Sequence, residues 1–442
     1  MAPEFVTAGT AFAVLLGLIA IRAPVALAML VVGAGGYYHI VGLGPLLNYL
    51  KTTPFFLFSN YTLSIIPLFI LMGALAERGG LARDLFAAAN ALVGHRRGGM
   101  AMGVIAACAG FGAVCGSSVA TTATFGRAAL PELRRYGYEP GFATGTIAVG
   151  GTLGILVPPS VILVVYAIST EQNIAKLFMA ALIPALIATL FYILAIAVLV
   201  RRWPALGPPA RGAVPPEQKR EALLNVIPVL AIGVVVVGGI YGGIFTPTES
   251  AAVGCVATLA VGVLRGTLHA RQVREALLAT AETTAMIFAI LLGAEVFNAF
   301  LALSQAPDLL SVWITEQGWP PYGVLAALLL AYIVLGAVMD ELAMILLTLP
   351  VFFPVVTALD FGLAGQEETA IWFGILVLIV VGIGLTAPPI GLNVFVISGL
   401  ARDVPIALTY RGVLPFLAMD LVRLALCVAF PVLSLWLVRL LS

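Results

Sequence analysis

Charged residues, histidines and cysteines are scarce in this chain. Only 10% of its 442 residues are charged, and it contains three histidines and four cysteines. Hydrophobic residues make up 62% of it, too large a share for the alternating polar faces of a soluble protein. The uncharged stretches 141–167 and 371–400 can each cross a hydrocarbon core of about 30 Å. The sequence therefore predicts an all-α polytopic membrane protein with ten or more membrane segments.

The same scarcity excludes several kinds of chemistry. The chain has no HExxH motif, no Walker A loop and no Ser–His pair or carboxylate dyad, so we predict neither an enzyme nor an organic cofactor. The net charge of +1 gives no indication of a nucleic-acid partner, and none is predicted. The cysteines have no CxxC spacing and are interpreted as buried small hydrophobes; they are Cys108, Cys115, Cys255 and Cys427.

One motif occurs twice, once in each half of the chain. The segments 154–159 (GILVPP) and 384–389 (GLTAPP) share the pattern Gly-x-x-x-Pro-Pro, and each lies in a long apolar run. Upstream of them are Ala129-Leu130-Pro131 and Thr348-Leu349-Pro350, respectively. Helix breakers in corresponding positions of two hydrophobic halves are typical of the binding site of a secondary transporter. The motif therefore predicts a solute transporter.

Basic residues indicate which ends of the apolar runs face the cytoplasm. The positive-inside rule assigns the short Lys- and Arg-containing segments to that side. The basic residues of these segments are Arg78 and Arg83, Arg96–Arg97, Arg127 with Arg134–Arg135, those from Arg201 to Arg220, and those from Arg265 to Arg274. The uncharged stretch from Gly98 to Phe125 has basic segments at both ends, so both ends are expected on one side. We therefore predict a cytoplasmic re-entrant hairpin over about 98–126, with its tip at 115–118.

The second half has the opposite charge pattern around its corresponding stretch. Residues 308–321 and 360–368 contain acids and no Lys or Arg, which places both ends of the stretch 324–356 outside. This predicts an outer-side hairpin over about 323–356, with its tip at 339–341, and hence an inverted repeat. Two ordinary spanning helices with imperfect charge bias are the alternative.

A Pro-rich, basic segment, 203–221, is the predicted cytoplasmic linker between a first repeat, 1–202, and a second, 222–442. Each repeat is predicted to contain scaffold helices, a hairpin and a broken helix, the last at about 141–167 and 371–400. In the second repeat, Thr248 is a candidate helix N-cap with Glu249 in the first turn. Glu282 and Glu295 are candidate cavity residues in an apolar run.

A helix broken at membrane depth leaves backbone groups that protein, water or an ion must satisfy. Carbonyls and Ser or Thr hydroxyls are hard oxygen ligands for sodium, so we predict two sodium sites, one per repeat. The predicted cation ligands are Gly116, Ser117, Ser118, Thr152, Gly154, Pro158, Met339, Asp340, Gly384, Thr386 and Pro388. The alternative is that the Pro-Pro motifs only kink helices and that Gly-Ser-Ser only permits close helix packing.

Ionisable residues at bilayer depth are usually functional, which draws attention to Asp340 and Glu341 at the second predicted tip. Asp340 is expected to face a cavity and to bind substrate, hold a cation or relay a proton. The solute is predicted to bind at the two broken helices, which the hairpin tips face. The residues predicted to contact it are Ser117, Ser118, Pro159, Asp340, Pro389 and Asn393.

The chain resembles the large membrane subunit of TRAP (tripartite ATP-independent periplasmic) transporters. The motifs that carry the resemblance are residues 116–121 (GSSVAT), 151–160 (GTLGILVPPS), 245–249 (FTPTE), 388–395 (PPIGLNVF) and 410–416 (YRGVLPF). The position of Asp340 also matches the hairpin-tip aspartate of that family. The resemblance implies sodium-driven uptake of a small organic acid across the bacterial inner membrane. It also implies an elevator mechanism, in which a transport domain slides against a scaffold.

The resemblance further implies two protein partners, a small four-helix membrane subunit and a periplasmic substrate-binding protein. Some relatives fuse the small subunit to the large one, but this chain has no room for four extra helices, so a separate subunit is expected. The two uncharged stretches contain no Lys or Arg to meet a substrate carboxylate, so helix dipoles, hydroxyls or a basic residue elsewhere must do so. A sodium/dicarboxylate symporter working without a binding protein is the alternative function.

Overall fold

The computed structural model describes residues 3–208 and 214–441, and its regular structure is helical throughout these two ranges. The helices in chain order are α1 (Pro3–Ala20), α2 (Val25–Val41), α3 (Leu43–Phe58), α4 (Ile65–Arg78), α5 (Leu81–Val93), α6 (Gly99–Cys115), α7 (Ser118–Arg135), α8 (Pro140–Leu156), α9 (Val161–Ser169), α10 (Ile174–Arg202), α11 (Pro216–Tyr241), α12 (Pro247–Leu264), α13 (Ala270–Ser304), α14 (Ala306–Glu316), α15 (Pro321–Gly336), α16 (Glu341–Ala358), α17 (Gln366–Gly384), α18 (Leu392–Leu400), α19 (Ile406–Ala429) and α20 (Val432–Leu441). Two 3-10 turns occur at Tyr61–Ser64 and Pro204–Leu206. The predicted all-α membrane fold is confirmed.

The number of full-length membrane spans is smaller than the number of membrane segments predicted. Among the described residues, eight helices are long and apolar enough to cross a bilayer, or nine if α8 and α9 count as one bent span. These full-length spans alone do not reach the ten or more membrane segments predicted, and five further apolar helices are shorter. These are Val6–Ala20, Val25–Val41, Gly99–Cys115, Pro321–Gly336 and Val432–Leu441.

Helices α6 and α7 form a pair that turns back at residues 116–117. Gly98, which precedes α6, lies beside Val200 of α10, because a Cβ built on Gly98 would be 3.1 Å from that side chain. Tyr138, which follows α7, lies beside Gly207, and Gly207 also lies next to Val200. Both ends of the pair are therefore near the end of α10, on one side of the molecule.

Helices α15 and α16 form the corresponding pair in the second half. Tyr322, in the first turn of α15, packs edge-to-face on Phe361, which follows α16, with ring centroids 5.4 Å apart. Val324 of α15 and Val355 of α16 belong to one small buried cluster. The start of α15 and the end of α16, the two ends of this pair opposite its tip, are therefore also adjacent.

Each pair is followed by two helices separated by a Pro-Pro segment. Helix α9 is bent by 44° from α8 across residues 157–160. Helices α17 and α18 are separated by residues 385–391. The peptide bonds Pro158–Pro159 and Pro388–Pro389 are both cis.

Helices α8 and α17 form the centre of the molecule. In α8, the residues from Gly141 to Leu156 are all buried, and in α17 so are those from Thr369 to Gly384. Helix α19 supports α8 through small residues. A Cβ on Gly145 would lie 2.6 Å from the carbonyl carbon of Gly412, so neither helix has room for a larger side chain there.

Two sequence-based details differ from the structure. Thr246, not Thr248, is the N-cap of α12, because its hydroxyl accepts from Glu249 N–H and Glu249 accepts from Thr246 N–H in a capping box. The predicted linker 203–221 overlaps α11, which begins at Pro216, a residue suited to the first helical position. Residues 209–213 of that linker lie outside the described ranges.

Candidate functional site

The tip of the first hairpin packs directly on the first helix break. A Cβ on Gly116 would lie 3.0 Å from Pro159 O, and one on Gly154 would lie 2.6 Å from Ser117 O and would also overlap Thr121 Oγ1. Gly116 has φ +65°, a backbone conformation that favours glycine and turns the chain between α6 and α7. The glycines thus bring the backbone oxygens of Ser117 and Pro159 close to the break.

Near this tip and break, two threonine hydroxyls donate to backbone oxygens, and the Ser117 hydroxyl accepts from a backbone N–H. Thr121 Oγ1 donates to Ser117 O at 2.7 Å, and Thr152 Oγ1 donates to Val149 O at 2.8 Å. Ser117 is the N-cap of α7, and its Oγ accepts from Ala120 N–H at 3.4 Å. The break therefore collects hard oxygen atoms in a buried setting, the ligand chemistry that an alkali cation takes.

The second hairpin tip meets the second break in a similar way. Ile390 N–H donates to Ala337 O at 3.2 Å, which joins the break to the tip. A Cβ on Gly384 would lie 2.7 Å from the carbonyl carbon of Gly336, so α15 and α17 approach closely. Thr386 is fully buried, and its Oγ1 donates to Ile383 O at 3.2 Å.

Asp340 is the N-cap of α16. One of its carboxylate oxygens accepts from Leu342 N–H at 3.1 Å and from Ala343 N–H at 3.4 Å. Met339 beside it is buried, and one carboxylate oxygen of Glu341 is buried without a hydrogen-bond partner among the described residues. A carboxylate is favourable at a helix N-terminus because the exposed N–H groups there carry partial positive charge.

The two halves meet at two places between the tips. Asn393, in the first turn of α18, is fully buried, and its Nδ2 donates to Ser118 Oγ at 2.7 Å and to Ala148 O at 3.0 Å. A Cβ on Gly382 would lie 3.8 Å from Thr152 Cβ, so α17 touches α8 one turn before the two breaks. Candidate residues from both halves are thus parts of one packed centre.

The two Pro-Pro segments differ in exposure. Pro158 and Pro159 are buried, whereas Pro388 and Pro389 are exposed. Tyr410 of α19 braces the exposed segment by donating its hydroxyl to Pro389 O at 3.0 Å and to Ile390 O at 2.6 Å. The second break is therefore the more accessible of the two.

A cavity of about 190 Å³ opens beside the first tip. Helices α4 and α13 form one wall, and the first tip with α9 forms the other. Its lining residues are Ile70, Gly73, Ala74, Glu77, Arg78, Cys115, Ser117, Ala120, Val161, Ala279 and Thr283. Ser117 is therefore reachable from a space between the hairpin and its neighbouring helices.

The sequence-based reasoning missed a buried ion pair. Arg423 Nη2 lies 2.8 Å from Asp420 Oδ1, and both side chains are 2% exposed. Tyr192 of α10 donates its hydroxyl to the same carboxylate at 2.6 Å. The available signal was an Asp and an Arg three residues apart within the apolar run of α19. By contrast, Glu282 and Glu295 are exposed on α13.

Among the described residues, no group of three or more His, Cys, Asp or Glu side chains could hold a metal ion. Carbonyl and hydroxyl oxygens, the polar atoms at the two breaks, are the ligands that sodium takes in transporters with broken helices.

Comparisons with known proteins agree with this architecture. The family described as "Tripartite ATP-independent periplasmic transporter, DctM component" matches residues 12–433. The C4-dicarboxylate TRAP transporter large permease protein DctM of Pseudomonas aeruginosa is 38% identical over 383 residues, covering 85% of this chain and 86% of the relative. The sialic acid TRAP transporter large permease protein SiaM of Vibrio cholerae is 32% identical, covering 84% and 85%, respectively.

A solved structure shares the fold at low sequence identity. The YdaH transporter of Alcanivorax borkumensis superposes with a TM-score of 0.59 at 17% identity, covering 90% of each chain. The family match and the relatives confirm the resemblance carried by the motifs around the two breaks. The chain therefore belongs to the DctM family of tripartite ATP-independent periplasmic transporters, and it is a transporter permease rather than an enzyme.

Proposed function

We propose that this protein takes up a small organic acid across the bacterial inner membrane, driven by sodium and by an elevator mechanism. In this proposal α6–α9 and α15–α18 form the transport domain, built as two inverted repeats, and α4 and α13 belong to the scaffold. Each repeat contributes one sodium site at its break, and the substrate lies between the two tips.

The observation that carries this proposal is the paired arrangement of tips and breaks. Gly116 and Ser117 lie against Gly154 and Pro159 in one half, and Ile390 bonds to Ala337 in the other. A single broken helix can be an isolated kink. Two such arrangements that touch through Asn393 and Ser118 favour a shared transport site.

The contact between hairpin and scaffold supports a sliding mechanism. The cavity beside Ser117 lies between the first tip and α4 and α13, so this boundary is packed only in part. Helix α4 touches the tip at Gly73, where a Cβ would lie 2.8 Å from Cys115 O. Arg127 of α7 forms an ion pair with Glu77 of α4 across the same boundary. An ion pair of exposed side chains contributes little to stability, so it can break and reform during movement.

The substrate class is supported by relatives whose names specify C4-dicarboxylate and sialic acid, both of which are carboxylates. Arg423 is fully enclosed and already paired with Asp420, so it is not the group that meets a substrate carboxylate. The N-termini of α7, α9, α16 and α18 lie at the tips and breaks, where partial positive charge favours an anion. At α16 the Asp340 carboxylate already accepts from two of the N–H groups, so the other three ends are the better candidates for a substrate carboxylate.

The tripartite family implies two partners for this chain, a small membrane subunit and a periplasmic binding protein. We propose that the small subunit is a separate four-helix protein and that the binding protein delivers the substrate. Reconstitution in liposomes with and without the binding protein tests this directly. Uptake that requires the binding protein supports the tripartite form, and equal uptake without it supports a simple sodium/dicarboxylate symporter.

Sodium binding is best tested without knowledge of the substrate. The purified protein with its small subunit is titrated with sodium or potassium at equal ionic strength while thermal stability is recorded. Binding to the folded state stabilises by RT ln(1 + [L]/Kd), about 2.7 kcal/mol at about 100 times Kd. We expect a saturating shift with sodium only.

The variants Ser117→Ala and Thr386→Ala are expected to weaken this shift. Thr280→Ala is the matched control, because Thr280 is a buried threonine of α13 whose hydroxyl donates within its own helix, to Ala276 O at 2.8 Å. Equal responses to sodium and potassium in an intact sample would contradict the proposed cation sites.

A further inference from the structure

Four buried polar side chains form a continuous chain from α19 to the first break. Arg423 pairs with Asp420 at 2.8 Å, Asp420 accepts from the Tyr192 hydroxyl at 2.6 Å, and Tyr192 Oη lies 3.4 Å from Thr152 Oγ1. The exposed fraction of each side chain is 4% or less. Thr152 is one of the proposed cation ligands, so this row of hydrogen-bonded side chains ends at the proposed cation site of the first repeat.

The ion pair is not explained by stability. Transferring two charges from water to an apolar interior is unfavourable by several kcal/mol per ion, and apolar residues of similar size often stabilise as well or better. Asp420 and Arg423 also lie one turn apart on the same helix, so their pairing does not connect two elements. Charged residues retained at membrane depth are functional by default, and Tyr192 is the group through which they reach α8.

The two hydroxyl hydrogens, one on Tyr192 and one on Thr152, determine how these buried side chains affect Thr152. An ionised carboxylate only accepts hydrogen bonds, so Asp420 takes the single hydrogen of the Tyr192 hydroxyl. Tyr192 Oη then offers only lone pairs towards Thr152. The single hydrogen of Thr152 is therefore directed to the side where Val149 O, at 2.8 Å, and Tyr192 Oη, at 3.4 Å, both accept. Lone pairs of Thr152 Oγ1 are left for another ligand.

We propose that Tyr192, held by the Asp420–Arg423 pair, is a positioning residue that orients the Thr152 hydroxyl as an acceptor for the sodium ion of the first repeat. Arg423 neutralises Asp420, so the carboxylate directs the hydrogen of Tyr192 without attracting the sodium ion away from the break. This inference rests on the proposed sodium-coupled function. It adds three residues from α10 and α19 that none of the Pro-Pro or hairpin motifs contains.

The decisive variant is Tyr192→Phe, which removes the hydroxyl and keeps the ring that packs edge-to-face on Phe416 at 5.7 Å. We expect the sodium concentration for half-maximal uptake to rise about five-fold, the effect of one neutral hydrogen bond, at little change in maximal rate. The sodium-dependent thermal shift should weaken in parallel. Tyr241→Phe is the matched control, because it removes a hydroxyl that donates to Phe178 O at 2.8 Å, away from the breaks.

The effect must pass through Thr152. In a Thr152→Ala background, Tyr192→Phe is therefore expected to cause no further change in the sodium concentration for half-maximal uptake. Should Tyr192→Phe not fold, the paired variant Asp420→Asn/Arg423→Met tests the same chain without leaving an unpaired buried charge. This paired variant should also raise the sodium concentration for half-maximal uptake.

The outcomes separate this inference from the function on which it rests. A wild-type protein without a sodium-selective shift would contradict the sodium coupling itself. A wild-type shift that Tyr192→Phe and Tyr241→Phe leave equally unchanged would overturn the role of Tyr192 alone.

Discussion

Asn393 Nδ2 and Ser118 Oγ are 2.7 Å apart, and this bond joins the second helix break to the first hairpin tip. Ser118 begins α7, and Asn393 lies in the first turn of α18. Both side chains are fully buried, so neither can exchange this bond for water. We therefore expect a displacement of α18 at the second break to be felt at the first hairpin tip.

The strength of this link can be measured by a double-mutant cycle of Asn393→Ala and Ser118→Ala. Each single variant is expected to lose about 1–3 kcal/mol, because it leaves a buried polar partner unsatisfied. The double variant should lose less than the sum, as measured from thermal or denaturant unfolding in detergent. Thr409→Val is the control, because Thr409 bonds to Thr144 at 2.9 Å and should add fully to Asn393→Ala. Full additivity of Asn393→Ala and Ser118→Ala would show that the bond does not couple the halves.

The close approach of α7 and α8 predicts a specific steric effect at Gly151. A Cβ there would overlap Thr122 Oγ1 and lie 3.1 Å from Ser118 O. Gly151→Ala is therefore expected to lower thermal stability and uptake, and adding Thr122→Ala should restore part of both. Gly35→Ala is the control, since a Cβ at Gly35 meets nothing within 4 Å. A harmless Gly151→Ala would contradict this packing.

Two substitutions at Asp340 separate its capping role from its charge. Asparagine also caps helices, so Asp340→Asn should keep the wild-type melting temperature, whereas Asp340→Ala should lose about 1 kcal/mol. If the carboxylate also serves a cation, the sodium shift should weaken in both variants. Wild-type sodium dependence in Asp340→Asn would limit Asp340 to its structural role.

Cross-linking tests whether the first hairpin moves against the scaffold. In a variant whose four buried native cysteines are replaced by alanine, Glu77→Cys and Arg127→Cys place thiols where an ion pair joins α4 to α7. A reducible bifunctional thiol reagent long enough to span the former ion pair should abolish uptake, and reduction should restore it, because an elevator must break this contact. The control pair, Arg78→Cys and Glu275→Cys, joins α4 to α13 within the proposed scaffold. Its cross-linking should leave uptake intact, and undiminished uptake by the cross-linked Glu77–Arg127 variant would contradict sliding at this boundary.

Much of the candidate site was predictable because its determinants are local. The glycines at 116 and 154, the hydroxyls of Ser117 and Thr386, and the Pro-Pro segments follow from short motifs that break helices. Their duplication in the two halves indicated a transporter before any contact was known. The sequence predicts ten or more membrane segments, whereas eight or nine of the described helices are full-length spans, because a run of apolar residues does not reveal the length of each helix within it.

The amino-acid sequence by itself determined that this is an all-helical membrane protein, to which family it belongs and where its two helix breaks lie. Composition, charge bias and helix-breaking residues act locally, so they can be read without the tertiary structure. Only the tertiary structure decided that Asn393 bonds across to Ser118, that the second Pro-Pro segment is exposed while the first is buried, and that Asp420 and Arg423 reach Thr152 through Tyr192. These relationships join residues far apart in the chain. They depend on which helices pack together, and no local pattern specifies that.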